Sequence, residues 1–93
     1  MKRKIILYGS EQCDGCVELK ALLTKKQVHF GFVDVLGGLG HLKKFLNVRD
    51  AHPELYETVR KEGRVGIPTL VVNDSEVYLS PDEETVDRIL AEE

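Results

Sequence analysis

Near its start the chain passes from an apolar run, Ile5-Ile6-Leu7-Tyr8, through a short turn into a helix-patterned segment, and from there into a second β-rich run, His29 to Val35. A strand, a helix and a strand in that order imply a parallel pair joined by a right-handed crossover. The spacing predicts a strand over Lys4 to Tyr8 and a helix from Asp14 to about Lys26. Cys16, Leu19, Leu22 and Leu23 share one side of that helix, and the basic residues collect at its C-terminal end, as the helix dipole prefers.

Downstream, Gly37-Gly38-Leu39-Gly40 breaks the chain before two amphipathic stretches, Leu39 to about Val48 and Pro53 to Glu62. Leu39, Leu42, Phe45 and Leu46 line the first, and Leu55, Tyr56 and Val59 the second. The glycine-rich segment lacks the Lys-Ser/Thr ending of a phosphate loop and reads as a turn. Gly63 sits where a helix-terminating glycine belongs. Thr69 to Val72 and Glu76 to Leu79 form two short β-rich runs around Asn73-Asp74-Ser75, which is turn chemistry suited to a hairpin. Ser80 is the expected N-cap of the last helix, with Pro81 in its first turn, Glu83 completing a capping box, and Val86, Ile89 and Leu90 as its buried stripe. The order βαβ, α region, ββα predicts an α/β fold with one four-stranded mixed sheet and helices on both faces. At 93 residues, the whole of 1–93 reads as one domain.

With 42% hydrophobic and 31% charged residues the chain has the composition of a globular protein. The net charge of −3 and the absence of a basic stripe argue against nucleic acid as a partner. Met1-Lys2-Arg3-Lys4 ahead of an apolar stretch has the outline of a secretory signal, but Gly9, Ser10 and Glu11 interrupt the run, so these residues read as a solvated strand entrance. No membrane segment is visible, and the cytoplasm is the expected compartment. There a close pair of cysteines is more often catalytic or metal-binding than structural.

Cys13 and Cys16 are the chain's only cysteines. Gly9, Ser10, Glu11 and Gln12 would leave Cys13 at the mouth of the helix, where unpaired N–H groups favour a thiolate. The i, i+3 spacing puts the second sulfur one turn deeper, so Cys13 is the expected attacking thiol and Cys16 the resolving one. Zinc usually needs four ligands, and His29, His41 and His52 are scattered without finger-like spacing, so no metal site is expected. His29 and His52 read as surface or capping residues, Tyr8 and Tyr56 as core aromatics with wet hydroxyls, and Asp34 as a structural cap. Thr69 is expected to support the turn at Pro68.

Cys13-Asp14-Gly15-Cys16 together with Gly66-Ile67-Pro68-Thr69-Leu70, set in this order of elements, resembles the glutaredoxin-like branch of the thioredoxin superfamily over nearly the whole chain. The resemblance implies a thiol–disulfide oxidoreductase with Cys13 and Cys16 as the catalytic pair and no bound cofactor. It also implies a cis Ile67-Pro68 bond lying against the sulfurs, with the backbone of Ile67 pairing with substrate. Arg64 stands near where relatives place a cation for the glycine carboxylate of glutathione. Ser80 and Asp82 occupy the place of the residues that hold its γ-glutamyl end. The implied partners are disulfide-containing proteins or glutathione disulfide, with glutathione as a co-substrate, and a reductase or glutathione as electron source; a monomer is expected.

Relatives carry Pro-Tyr between the cysteines and a lysine three positions before the first; here these are Asp14-Gly15 and Ser10. With Glu11 and Asp14 beside the pair, glutathione should bind less tightly and Cys13 should be a less acidic thiol, which suits a reductant. Two other readings keep the fold. One is a non-enzymatic module holding a metal or an iron–sulfur cluster. The other is a redox sensor that recruits a partner through the Leu39–Glu62 region.

Overall fold

The computed structural model describes residues 3–92; Met1 and Lys2, part of the expected strand entrance, and Glu93 lie outside the described residues. The elements are β1 (Ile5–Gly9), α1 (Asp14–Lys25), β2 (Gly31–Asp34), α2 (Leu39–Asp50), α3 (Glu57–Lys61), β3 (Thr69–Val72), β4 (Glu76–Leu79) and α4 (Glu83–Ala91). The strands form one sheet in the order β2-β1-β3-β4, with β1 parallel to β2 and antiparallel to β3, and β4 antiparallel to β3. This is the α/β architecture with one mixed four-stranded sheet expected from the order of elements, and the thioredoxin-like arrangement that the resemblance implied.

Side chains alternate across a strand, so the sheet has two distinct faces. Ile5 and Leu7 of β1 join Leu70 and Val72 of β3 on one, where Leu19 and Leu23 of α1 and Val86 and Ile89 of α4 close the core. Burial of each large aliphatic side chain there stabilises the fold by about 1.5–3 kcal/mol. Lys26, just after α1, ties the two helices at their edge through Glu83 at 3.1 Å and Asp87 at 2.8 Å. On the other face Tyr8 meets Phe45 of α2, ring centroids 6.1 Å apart, and Phe45, Tyr56 and Val59 are buried.

Local chemistry terminates the elements. At the end of α3, Gly63 takes a left-handed φ of +72°. Its N–H donates to the Arg60 carbonyl and that of Arg64 to the Val59 carbonyl, the paired bonds of a Schellman turn. Asn73 and Asp74 take φ values of +54° and +60° in the β3–β4 hairpin, as the turn residues predicted. Asn73 also clamps the entrance of β1: its N–H donates to the Lys4 carbonyl and its Oδ1 accepts from the Lys4 N–H.

Several boundaries differ from expectation. β1 begins at Ile5 and includes Gly9, and β2 is limited to Gly31–Asp34 rather than His29 to Val35, because as an edge strand it pairs only with β1, from Ile6 opposite Gly31 to Gly9 opposite Asp34. α2 runs past Val48 to Asp50, whereas residues 53–56 form turns and α3 starts only at Glu57. The Tyr56 and Glu57 N–H groups reach back to His52 and Glu54 at 3.3 and 3.5 Å, too long for a regular turn of helix. Leu39, expected on the buried stripe, is the first residue of α2 and is 73% exposed; Leu55, in the turn, is also exposed, while Tyr56 takes the buried place. Ser80 does not cap the last helix. Asp82 does, its carboxylate accepting from the Thr85 N–H at 2.8 Å, because Ser80 (φ +45°) finishes the hairpin by donating its N–H to the Pro68 carbonyl at 2.8 Å.

Candidate active site around Cys13 and Cys16

β1 ends at Gly9, and Ser10 builds the turn that follows: its Oγ accepts the Gln12 N–H and its carbonyl accepts the Cys13 N–H, both at 3.1 Å. Ser10 is buried. The position where relatives carry a cation is thus spent on the turn that presents the first thiol. Cys13 is the N-cap of α1, in extended conformation, and its Sγ accepts the Cys16 N–H at 3.4 Å. A sulfur in that place receives both a free amide and the positive end of the helix dipole, and each interaction strengthens as it gains negative charge.

Both thiols are free. They lie close together but in unlike surroundings, for Cys13 is partly open to solvent while Cys16 is 1% exposed. Cys16 is packed against β1 so tightly that a Cβ on Gly9 would stand 2.9 Å from its Sγ. Burial pushes the Cys16 thiol up to about 12, helped by its hydrogen bond to Cys13 and by negative charge there, while the Ser10 backbone pulls the other way. Cys16 is therefore held as a protonated thiol behind an accessible one.

The strand β3 and the loop before it complete the site. Ile67-Pro68 is a cis peptide, as the resemblance implied. Pro68 lies against the segment between the cysteines, its Cδ 3.5 Å from where a Cβ of Gly15 would be. Cys13 opens onto a groove of about 520 Å³ whose wall includes Arg64, Ile67 and Ser80 along with Val59, Val65 and Leu79. A second groove of about 300 Å³ runs past Gly15, Pro68, Ser80 and Asp82. The expected site residues are thus gathered at one end of the sheet, with Ser80 common to both grooves.

Charges around the grooves are largely engaged. Glu11 pairs with Lys20 at 2.6 Å, and the Lys20 ammonium also sits 4.4 Å above the Phe32 ring, so one acidic neighbour of Cys13 has its own counter-charge. Arg64 lines the groove with its guanidinium on Glu62 at 2.7 Å. Hydrogen bonding from Thr85 holds Asp82 below the usual carboxylate range. Asp34 caps the turn after β2 by accepting the Leu36 N–H, and His41 and His52 bond to backbone carbonyls. Among the described residues no three His, Cys, Asp or Glu side chains are grouped as a metal ion would require. No helix among them is long and apolar enough to cross a membrane.

Sequence reasoning missed Gly9 as the floor beneath Cys16, and it missed the groove wall formed by Val59, Gly63, Val65 and Leu79. It placed the Tyr56 hydroxyl in water; the hydroxyl is instead buried, 2.7 Å from Thr69 Oγ1. Thr69 does support the turn at Pro68, donating its hydroxyl to the Gly66 carbonyl at 2.7 Å. Nothing local in the chain announces the pairing of Tyr56 with Thr69.

The fold agrees with what the chain is similar to. An uncharacterised protein of Haemophilus influenzae is 30% identical over 76 residues, covering 82% of this chain and 87% of that one. The crystal structure of a glutaredoxin from Methanosarcina mazei Go1 superposes with a TM-score of 0.69 at 29% identity, covering 94% of this chain and 77% of that one. A solved thioredoxin-like protein shares the fold at a TM-score of 0.63 and 23% identity, each chain covered to 97%. The glutaredoxin family model matches residues 5–77, and the chain belongs to the glutaredoxin family.

Proposed function

We propose that the protein is a dithiol thiol–disulfide oxidoreductase that reduces protein or glutathione mixed disulfides through Cys13 and Cys16. The observation that carries this reading is the unequal burial of two neighbouring free thiols, one at the mouth of a groove and one directly behind it. The Cys13 thiolate attacks one sulfur of the substrate disulfide, forming a mixed disulfide and releasing the other sulfur as a thiolate that takes up a proton. Cys16 then loses its proton and attacks Cys13 Sγ, which breaks the mixed disulfide, frees the second substrate thiol and leaves a Cys13–Cys16 disulfide. Two electrons pass from the protein to the substrate.

The raised Cys16 thiol fits its place in this sequence. Before attack it stays protonated and does not compete with Cys13. Once Cys13 is bonded to substrate its sulfur has no charge to place beside Cys16, which removes part of what raises the Cys16 thiol. The Ser10 backbone, which favours the thiolate, remains.

Glutathione serves as co-substrate in this reading, with Arg64, Ser80 and Asp82 as its contacts. Arg64 is engaged with Glu62, the Ser80 N–H with Pro68 and the Asp82 carboxylate with Thr85, so glutathione must displace or share these bonds. That supports a weaker hold on glutathione than a free cation would provide. The deciding experiment is to incubate Cys16→Ser with a glutathionylated peptide and weigh the product. A stable adduct on Cys13 is expected. No adduct, or full reductase activity in Cys13→Ser, would overturn the proposal. Turnover with glutathione, compared with turnover by a flavin-dependent thioredoxin reductase, identifies the electron source.

A further inference from the structure

We infer that Tyr56 and Thr69 are positioning residues: through the Gly66 carbonyl they hold the backbone of Ile67 in place for a disulfide carried on an extended peptide. The inference rests on the exchange reaction proposed for Cys13 and adds to it what the segment between α2 and α3 contributes.

Thr69 Oγ1 lies 2.7 Å from the Gly66 carbonyl oxygen and 2.7 Å from the Tyr56 hydroxyl. A carbonyl can only accept, so the Thr69 proton goes to Gly66 and Tyr56 must be the donor to Thr69. Burial raises the Tyr56 phenol above its ordinary range, which keeps that donor protonated. The result is a directed chain of hydrogen bonds from Tyr56 through Thr69 to Gly66, and both side chains are fully buried. The Tyr56 ring adds a steric stop. A Cβ on Gly66 would stand 2.9 and 3.0 Å from two ring carbons, and the φ of +101° there is one that side-chain-bearing residues rarely adopt.

The neighbours are held as well. Arg49 of α2 donates to the Val65 carbonyl at 3.0 Å, and the Pro68 carbonyl accepts the Ser80 N–H. The carbonyls of Val65, Gly66 and Pro68 are therefore all engaged. Among the described residues, no backbone hydrogen bond ties Ile67 to the rest of the protein. Ile67 sits in the wall of the groove that Cys13 opens onto. A short backbone stretch with open hydrogen-bonding groups between held neighbours suits an extended peptide, which supplies matching N–H and C=O groups. The hydroxyl pair lies behind this stretch and touches the substrate only through it.

The test compares two disulfides: that of an acetylated, amidated cysteine-containing pentapeptide, and hydroxyethyl disulfide, which has no backbone amides. Tyr56→Phe keeps the ring against Gly66 and removes only the donor. It should raise KM for the peptide disulfide roughly 3- to 10-fold, with a smaller change in kcat and a smaller effect on hydroxyethyl disulfide. Thr69→Val should act in the same direction and more strongly, while Thr69→Ser, which keeps the hydroxyl, should restore KM towards that of the unaltered protein. A wild-type KM in Tyr56→Phe, equal losses on both disulfides, or Thr69→Ser behaving like Thr69→Val would overturn the inference. Failure of the unaltered protein to reduce either disulfide would overturn the exchange reaction itself, an outcome read before any variant is made.

Discussion

The two faces of the sheet are built from different material. The face under α1 and α4 is built around hydrocarbon, with Leu7, Leu19, Leu23, Leu70 and Val86 meeting in a continuous cluster. The face under α2 and α3 buries Phe45 and Val59 but also a pair of hydroxyls, and an arginine of α2 reaches across to the loop before Ile67. Apolar contacts are non-directional and tolerate small shifts, whereas a hydrogen bond sets distance and angle. The first face therefore serves mainly to hold the fold together. The second places a particular piece of backbone beside Cys13. Gly9 and Cys16 belong to the first face, at the end of β1, where packing and chemistry meet.

If that division is right, Leu23→Ala should produce the largest loss of stability, about 2–5 kcal/mol by urea denaturation, since the side chain is 1% exposed and its removal leaves a cavity. The folded fraction should keep its KM for a peptide disulfide; a KM raised as far as in Tyr56→Phe would erase the distinction between the faces. Gly9→Ala should come next, at about 1–3 kcal/mol, because the added Cβ meets Cys16 Sγ at 2.9 Å and something must shift. This variant should also slow the release of substrate from the Cys13 mixed disulfide, which rapid-mixing kinetics would show. Resolution at the wild-type rate would mean that Cys16 is less tightly seated than the packing indicates.

The smallest effect is confined to alkaline solution. The Cys16 thiol is raised from 9.0 to about 12 by folding, so below pH 9 it is protonated in both states and its contribution to stability is complete. Above pH 9 the unfolded chain gives up that proton while the folded protein keeps it, and stability should decline as the pH rises towards 12. Denaturation of reduced protein at pH 8 and pH 10.5 should show a steeper loss in the wild type than in Cys16→Ala. Equal slopes would count against a sealed, protonated Cys16.

Much of this was legible because the signals act over a few residues. Cys13 and Cys16 are one turn apart, Gly63 takes the left-handed turn at its own helix end, and Asn73-Asp74 set the hairpin, so the chain carries each of these in its local order. The alternation of Ile5 and Leu7, and the stripe of Val86 and Ile89, likewise announced a sheet with helices against it. Where two local signals competed, sequence reasoning chose wrongly. Ser80 and Asp82 both offer capping oxygens, and only the bond from the Ser80 N–H to Pro68, across the sheet's end, leaves the cap to Asp82.

What the linear order determined, then, is the dithiol at a helix mouth, the mixed four-stranded sheet and a proline at the start of its third strand. The tertiary structure alone decided that Tyr56 would meet Thr69, that Gly9 would form the floor under Cys16, and that Arg64, Ile67 and Ser80 would share a groove with Cys13. These partners come from different elements. Their meeting depends on the strand order β2-β1-β3-β4, which places β3 beside β1 and so carries the Pro68 loop to the helix mouth.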